Sequence, residues 1–357
     1  MSNSAGILLH RRSLLASPLA LLPACHPGET PAPCPADPSA AGPVSWIPDA
    51  GHPVAWGEEH LTTADGPPAN LSIYYPSARF VPPRPMLQRC AWRWPLVILL
   101  HGQPPSGVPF AGYHRAWWRI PVALARSGHV VLVPGHSPGP DTPASTVDPI
   151  VEWLFNAWHG APWVNRRIQS RAVIGHSYGA LLAARYAAAN PGIAALASLG
   201  GVFTEVTPSP AALLSAIPCT SFFMFAHRDP YEDLEQPESS PLILKTRVNR
   251  YACIYEGQHF DYLEPDFPGS FERGPCPAIP QITADLLALF MGSQLHSLTQ
   301  IPIDLRPPQP ALTPAQEPFA IQWQQSQQRI CNDRQCKVTL QWMFDNQAHH
   351  REIAPCN

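Results

Sequence analysis

A serine stands between two glycines in the pentapeptide Gly-His-Ser-Tyr-Gly at residues 175–179. The mostly apolar run 171–174 before it, which begins with Arg171, is typical of a buried strand, and the alanine-rich run 180–189 after it is typical of a helix. Glycine permits the sharp turn between such elements, and the N-terminus of the helix stabilises developing negative charge. The pattern therefore predicts that Ser177 is a nucleophile, and the alternative is a tight turn without chemistry.

A second Gly-x-Ser-x-Gly pentapeptide, at residues 135–139, provides an internal comparison. It also follows an apolar run, but the segment after it, Pro-Asp-Thr-Pro at 140–143, cannot begin a helix directly. Without that helix, no N-terminal dipole lies behind the serine. We therefore expect Ser137 to lie in a loop, and we treat it as the alternative to Ser177.

A serine nucleophile needs a histidine that accepts its proton and an acid that orients the histidine. Asp229 closely follows the apolar run 222–225, and His259 follows the short run 254–255. Because the carboxyl ends of parallel strands meet at one edge of a sheet, both residues are expected near Ser177. The sequence thus predicts a catalytic triad of Ser177, His259 and Asp229.

Other titratable residues leave alternatives open for the acid and the base. Glu205 or Asp233 could replace Asp229 as the acid, and Asp261 is a further carboxylate beside the predicted base. The other histidines after Asp229 lie in the C-terminal region, not directly after a predicted core strand: His296, His349 and His350.

The donors for a developing oxyanion are expected from backbone N–H groups at two strand ends. One donor is Tyr178, which follows the nucleophile. The other is Gln103, which lies three residues beyond the apolar run 96–100. His101, at the end of the same run, is expected to be structural rather than catalytic.

Predicted strands and helices alternate along residues 54–295. This alternation predicts an α/β fold, with a mostly parallel, eight-stranded sheet that carries helices on both faces. The predicted helices cover 113–126, 147–158, 180–189 and 282–295. The predicted strands are 54–56, 71–75, 96–100, 130–133, 171–174, 194–199, 220–225 and 251–255.

The element order, the Gly-x-Ser-x-Gly serine and the segment His101-Gly102-Gln103 resemble the α/β-hydrolase superfamily over residues 53–295. The layout is similar to the group that contains cutinase-type polyester hydrolases, chlorophyllases and platelet-activating-factor-type acetylhydrolases. The resemblance implies hydrolysis of a small-molecule or lipid-like carboxylic ester through an acyl-enzyme, with no cofactor and no metal. Serine as the nucleophile differs from the aspartate of dehalogenases and the cysteine of dienelactone hydrolases.

Several features bear on the substrate. Gln103 stands where polyesterases of this group commonly carry an aromatic residue, which argues against a polymer. The connection 200–217 is too short for a large cap domain, so an open cleft is expected. The candidates for an apolar acyl pocket are Tyr113, Trp117, Trp118, Tyr178, Phe203 and Phe260. A hydrolase-fold protein without catalysis, acting in binding or in envelope interactions, remains the alternative function.

Residues 1–25 have the pattern of an export signal, in which two arginines precede an apolar stretch too short to span a membrane. The segment Leu-Pro-Ala-Cys at 22–25 resembles a lipobox. Lipidation of Cys25 would tether the protein to a membrane through the proline-rich residues 26–45, and plain cleavage is the alternative. The expected location is the periplasm or outer envelope, as a lipoprotein, or the outside of the cell. A disordered cytoplasmic leader is the remaining alternative.

Charge and cysteine content exclude other classes of function. The formal net charge of −3 gives no reason to expect a nucleic-acid partner. Apart from Cys25, the cysteines are even in number and form no C-x-x-C pair. We therefore expect disulfides rather than a metal site.

The predicted domain organisation places the catalytic domain at 46–296 and a proline-rich linker with a β-hairpin at 297–357. The hairpin is expected to pair the alternating segments 319–323 and 338–344. A disulfide between Cys331 and Cys336 is expected near its turn.

Overall fold

A computed structural model of the chain describes residues 52–61, 69–77, 93–110, 112–136, 138–203, 210–226, 228–231, 250–255, 257–264, 274, 277, 279–295, 338–344 and 347–352. All of these residues belong to one unit, 35–357. The expected export signal and tether lie outside the described residues, and so do the alternatives Ser137, Glu205 and Asp233 and the expected disulfide partners Cys331 and Cys336. Those expectations stay predictions.

Ten strands form one sheet in the described part of the chain. They are β1 (Val54–Leu61), β2 (Ala69–Pro76), β3 (Leu96–Leu100), β4 (Val130–Pro134), β5 (Arg171–His176), β6 (Ala195–Leu199), β7 (Thr220–Ala226), β8 (Arg250–Tyr255), β9 (Val338–Phe344) and β10 (Gln347–Glu352). Every residue of β3, β4 and β6 is buried, as expected for apolar strands that are covered on both faces.

The strand order is β1-β2-β4-β3-β5-β6-β7-β8-β9-β10. The strands from β4 to β8 in this order run parallel, whereas β1 and β2 at one edge and β9 and β10 at the other edge pair antiparallel. All eight predicted strands are present, and the predicted α/β class is confirmed. The carboxyl ends of β3, β5, β6, β7 and β8 therefore share one edge of the sheet.

Five α-helices in the described residues cover the two faces of the sheet. They are α1 (Arg119–Arg126), α2 (Asp148–Asn156), α3 (Tyr178–Ala189), α4 (Pro210–Ala216) and α5 (Ile279–Leu295). One buried cluster contains side chains of α1 and α5, and the other contains side chains of α2, α3 and α4. Among the described residues, no helix combines the length and the apolar composition needed to cross a membrane.

The predicted helix 113–126 forms in two pieces. A 3₁₀ turn covers Tyr113–Trp117, and α1 begins two residues later. A continuous α-helix would need the N–H of Pro121 to donate to the carbonyl of Trp117, and proline has no N–H. Trp117, at the end of the 3₁₀ turn, is buried, and its ring centroid lies 4.8 Å from that of His176 at the end of β5.

The C-terminal hairpin extends the central sheet. Its strands are β9 and β10, and β9 also pairs with β8, with Trp342 opposite Tyr251. The expected pairing of 319–323 with 338–344 is wrong, because β8 and β10 occupy both edges of β9. Residues 319–323 themselves lie outside the described residues.

Removal of residues 338–357 is expected to lower the stability of the whole sheet. The truncation would expose the backbone edge of β8, the strand that leads to His259. We expect Tm to fall by at least about 5 °C, which corresponds to a loss of roughly 2 kcal/mol in a domain of this size. Thermal denaturation followed by circular dichroism measures the change. An unchanged Tm would show that β9 and β10 do not stabilise the sheet.

Candidate active site

Ser177 lies in the turn between β5 and α3, with backbone angles φ 55° and ψ −127°. It is the one non-glycine residue with a positive φ in the described ranges. Such a conformation costs on the order of 1–3 kcal/mol and persists only where the surrounding structure imposes it. The Ser177 N–H donates to the Leu199 carbonyl at 3.1 Å, and the Ser177 carbonyl accepts from the Ala180 N–H at 2.9 Å. The turn is thus held between β6 and the first turn of α3.

Two close backbone approaches explain why glycines flank this turn. A Cβ at Gly175 would overlap the carbonyl oxygen of Gly179, and a Cβ at Gly179 would lie only 2.5 Å from the carbonyl oxygen of His101. A side chain at either position would push α3 away from the sheet. The spacing of the pentapeptide therefore reflects the packing of α3 against the ends of β3 and β5.

The His259 imidazole and the Asp229 carboxylate form a buried pair. Nδ1 of His259 donates to Oδ2 of Asp229 at 2.6 Å, and the two residues are 3% and 6% exposed. The other carboxylate oxygen accepts the N–H of Tyr231 at 2.8 Å. Asp229 follows β7 and His259 follows β8, which are neighbours in the sheet. The structure brings these two predicted residues together, and their catalytic roles stay predictions.

Gly200 follows the residue that binds the Ser177 N–H and lies beside the His259–Asp229 pair. Leu199, which accepts the Ser177 N–H, is the last residue of β6, and Gly200 follows it with a φ of 53°. A Cβ at Gly200 would lie 3.3 Å from both Oδ2 of Asp229 and Nδ1 of His259. The three predicted triad residues therefore lie around the carboxyl end of β6.

Asp261, the second carboxylate near the predicted base, binds backbone groups instead of the imidazole. Its oxygens accept the N–H of Gln258 at 2.7 Å and the N–H of Gly274 at 2.9 and 3.1 Å. These bonds close the loop on which His259 lies. Asp229 is thus the carboxylate that is hydrogen-bonded to His259.

Gly102 lies directly against the predicted nucleophile. A Cβ at Gly102 would overlap the Cβ of Ser177 and would lie 3.1 Å from its Oγ. The buried His101 donates from Nδ1 to the Gly102 carbonyl at 2.8 Å, a structural contact. Gln103 follows Gly102 and Tyr178 follows Ser177, so both predicted oxyanion residues adjoin the nucleophile. Their role as oxyanion donors stays a prediction.

Three further histidines pack around the site without charge. Burial lowers the pKa of His136 to about 4, and burial lowers the pKa of His101 and of His176 well below the ordinary value. The rings of His101 and His136 lie 4.4 Å apart, so charge on one disfavours charge on the other. These imidazoles are therefore neutral near neutral pH. In the described ranges, no group of histidine, cysteine and acidic side chains is arranged to hold a metal ion.

Two residues at the pair were not predicted as site residues. Nε2 of His176 lies 2.9 Å from the carbonyl oxygen of His259. The ring of Tyr231 lies 4.7 Å from the imidazole of His259, and 54% of this residue is exposed. Only their positions in the sequence could have indicated them: His176 precedes the predicted nucleophile by one residue, and Tyr231 follows the predicted acid by two residues.

The aromatic residues expected around an acyl pocket divide by burial. Three of the six are buried in the core, two are half-buried and one is exposed: Tyr113, Trp117 and Phe203; Tyr178 and Phe260; and Trp118, respectively. The core members pack against other buried rings; the ring centroids of Phe203 and Phe223, for example, lie 6.3 Å apart. Packing therefore accounts for half of that set.

Comparison with known proteins places this arrangement in a family context. The family model described as "Alpha/beta hydrolase family" matches residues 97–344, which is well over half of the 357-residue chain. The matched range runs from β3 to the end of β9 and contains both the Ser177 turn and the His259–Asp229 pair. No curated protein matches the chain.

Gly102→Ala is expected to block the Ser177 hydroxyl and to destabilise the turn. The new methyl group would overlap the Cβ of Ser177 and lie 2.8 Å from the His176 carbonyl oxygen. Overpacking of this kind costs about 1–3 kcal/mol. We expect labelling of Ser177 by a fluorophosphonate to be lost and the urea midpoint to fall.

Gly57→Ala is the matched control for this substitution, because no atom lies within 4 Å of a Cβ at that position. The control should label and unfold as the wild type does. Equal labelling of the Gly102→Ala and Gly57→Ala proteins would contradict the close contact between Gly102 and Ser177.

The free energy of unfolding is expected to decrease as the pH falls below about 6.5, the ordinary pKa of histidine. The unfolded chain then binds protons at the three neutral histidines, whereas folded His136 binds one only near its pKa of about 4. Because the unfolded state binds protons at a higher pH than the folded state does, the free energy of unfolding decreases as the pH falls from about 6.5 to about 4. Urea denaturation at about pH 7 and about pH 5 measures the loss. His136→Phe should reduce it, and an equal loss in that variant would contradict a neutral His136.

Proposed function

The chain belongs to the alpha/beta hydrolase family, and we propose that it is a serine hydrolase that cleaves carboxylic esters through an acyl-enzyme. The observation that carries this proposal is the 2.6 Å hydrogen bond between His259 Nδ1 and Asp229 Oδ2. Both partners are buried, at the sheet edge where Ser177 occupies its positive-φ turn. A histidine oriented by a carboxylate beside a serine is an arrangement that nucleophilic ester cleavage uses, and in α/β-hydrolases that serine lies in a strained turn between a strand and a helix.

The direction of this hydrogen bond sets the chemistry of the imidazole. Neutral His259 carries its proton on Nδ1, which Asp229 binds, so Nε2 offers a lone pair. In the proposed first step, Nε2 takes the Ser177 proton as Oγ attacks the carbonyl carbon of the ester. Asp229 stabilises the resulting imidazolium. His259 then returns the proton to the departing alcohol oxygen, and the acyl group remains on Ser177.

Water completes the proposed cycle. His259 takes a proton from a water molecule whose oxygen attacks the acyl carbon, and it returns that proton to Ser177 as the carboxylic acid leaves. We assign the backbone N–H groups of Gln103 and Tyr178 to the negative oxygen in both steps. The N-terminus of α3 adds a favourable electrostatic potential for that oxygen.

Exposed aromatic side chains support a substrate with apolar groups. Phe110 and Trp118 lie in the connection after β3, and Tyr231 lies after β7, so all three follow the carboxyl ends of parallel strands. They are 43%, 43% and 54% exposed. We therefore propose a small-molecule or lipid-like ester as the substrate. We also propose that the chain is similar to the group of cutinase-type polyester hydrolases, chlorophyllases and acetylhydrolases. We propose further that the protein is exported and that Cys25 is lipidated.

Ser177→Ala and Asp229→Asn are expected to abolish most hydrolysis of p-nitrophenyl butyrate. Triad members act as a unit, and their single loss lowers kcat by roughly 10⁴- to 10⁶-fold. Asp229→Asn acts by holding His259 in the wrong tautomer. The measurement is kcat for purified proteins whose Tm is unchanged. Retained activity in Ser177→Ala would contradict the proposal, and Ser137→Ala would then be the next variant to test.

Asp261→Asn is the matched control for Asp229→Asn. Asp261 lies two residues from His259 but binds backbone N–H groups, so its loss should lower Tm and lower kcat far less than Asp229→Asn does. Equal losses of kcat in the two variants would contradict the assignment of Asp229 as the catalytic acid.

A further inference from the structure

His176, the residue directly before Ser177, contacts the main chain of the predicted base. Its Nε2 lies 2.9 Å from the carbonyl oxygen of His259, and its side chain is fully buried. A carbonyl oxygen only accepts hydrogen bonds, so Nε2 carries a proton and donates it. One imidazole thus joins the nucleophile turn to the loop on which His259 lies.

The surroundings of His176 keep this imidazole neutral. Burial, and after it the proximity of His259, hold the pKa of His176 well below its usual value. Its Nδ1 is buried and makes no hydrogen bond to the described part of the chain, so a second proton would have no acceptor. The neutral Nε2–H tautomer is the form that fits the site.

Neighbouring rings fix the orientation of the His176 side chain. Its ring centroid lies 4.7 Å from that of His259, 4.8 Å from that of Trp117 and 5.5 Å from that of Tyr262. Tyr262 is anchored by a 2.9 Å hydrogen bond from its hydroxyl to the Met224 carbonyl. With rings on several sides, the imidazole has no room to swing away from the His259 carbonyl.

We propose that His176 is a positioning residue that fixes the distance between Ser177 and His259. Its main chain continues into the nucleophile, and its side chain holds the main chain of the base. The catalytic part of this inference rests on the proposed function, because only proton transfer from Ser177 to His259 makes that distance matter. His176 acts through His259 and not on the reacting atoms.

Three variants separate positioning from packing. His176→Phe keeps an aromatic ring and removes the donor, whereas His176→Gln keeps a side-chain N–H near the position of Nε2. His129→Phe is the matched control, because His129 is also buried and its Nδ1 donates to a backbone carbonyl, that of Leu124, at 3.0 Å. His129 precedes β4, at the opposite edge of the sheet from Ser177.

The measurements are kcat and KM for p-nitrophenyl butyrate and amide hydrogen exchange across residues 257–264. We expect His176→Phe to lower kcat roughly 10- to 100-fold, as for a displacement of about 1 Å, with little change in KM. Exchange should rise in 257–264 and not elsewhere. In His176→Gln, both kcat and the exchange in 257–264 should be close to the wild-type values. His129→Phe should lower Tm but change neither kcat nor the exchange in 257–264.

Wild-type kcat in His176→Phe, or unchanged exchange in 257–264, would overturn the positioning role. If His176→Phe does not fold, nitrogen-15 NMR of the wild-type protein decides. A neutral Nε2–H tautomer at His176 supports the inference, and an Nδ1–H or charged form overturns it. The exchange measurement does not depend on catalysis. A wild-type protein that hydrolyses no ester would therefore count against the proposed function, while selective exchange in His176→Phe would still support the contact.

Discussion

The packing of α3 against the ends of β3 and β5 is the constraint on which the site depends. Gly175 and Gly179 leave no space for a side chain between helix and sheet, so the chain must turn sharply at Ser177. The positive φ of Ser177 stores on the order of 1–3 kcal/mol, which the contacts of the surrounding elements offset. The serine is thereby fixed at the edge of the sheet, with Gly102 directly against it.

Contacts to backbone atoms hold the opposite side of the site. Asp261 binds two backbone N–H groups of the His259 loop and its surroundings, and His176 binds the His259 carbonyl. Glu264, at the end of the same loop, accepts from the backbone N–H and the guanidinium of Arg119 at 3.2 and 2.9 Å. Such bonds fix main-chain positions, so the His259–Asp229 pair is preorganised before any substrate binds.

Local pattern was enough to predict the elements but not the contacts between distant segments. Continuous apolar runs such as 96–100 predicted eight strands, and the order of Ser177, Asp229 and His259 predicted which residues meet at one edge. The pairing of β9 with β8 joins segments far apart in sequence, and the polar strand 347–352 carries no alternating pattern to indicate it. The roles of Asp261 and His176 were equally hidden, because each depends on a backbone group whose position only the folded chain defines.

In the proposed mechanism, Ser177 carries the acyl group during ester hydrolysis, His259 moves the proton, and Asp229 orients His259 and stabilises its charged form. Rapid-quench mass spectrometry of the protein mixed with p-nitrophenyl acetate tests this directly. The expected result is one acetyl group on the peptide that contains Ser177, and none on that peptide from Ser177→Ala. Acetylation of another residue that turns over as fast as the ester is hydrolysed, or wild-type turnover in Ser177→Ala, would contradict the proposed mechanism.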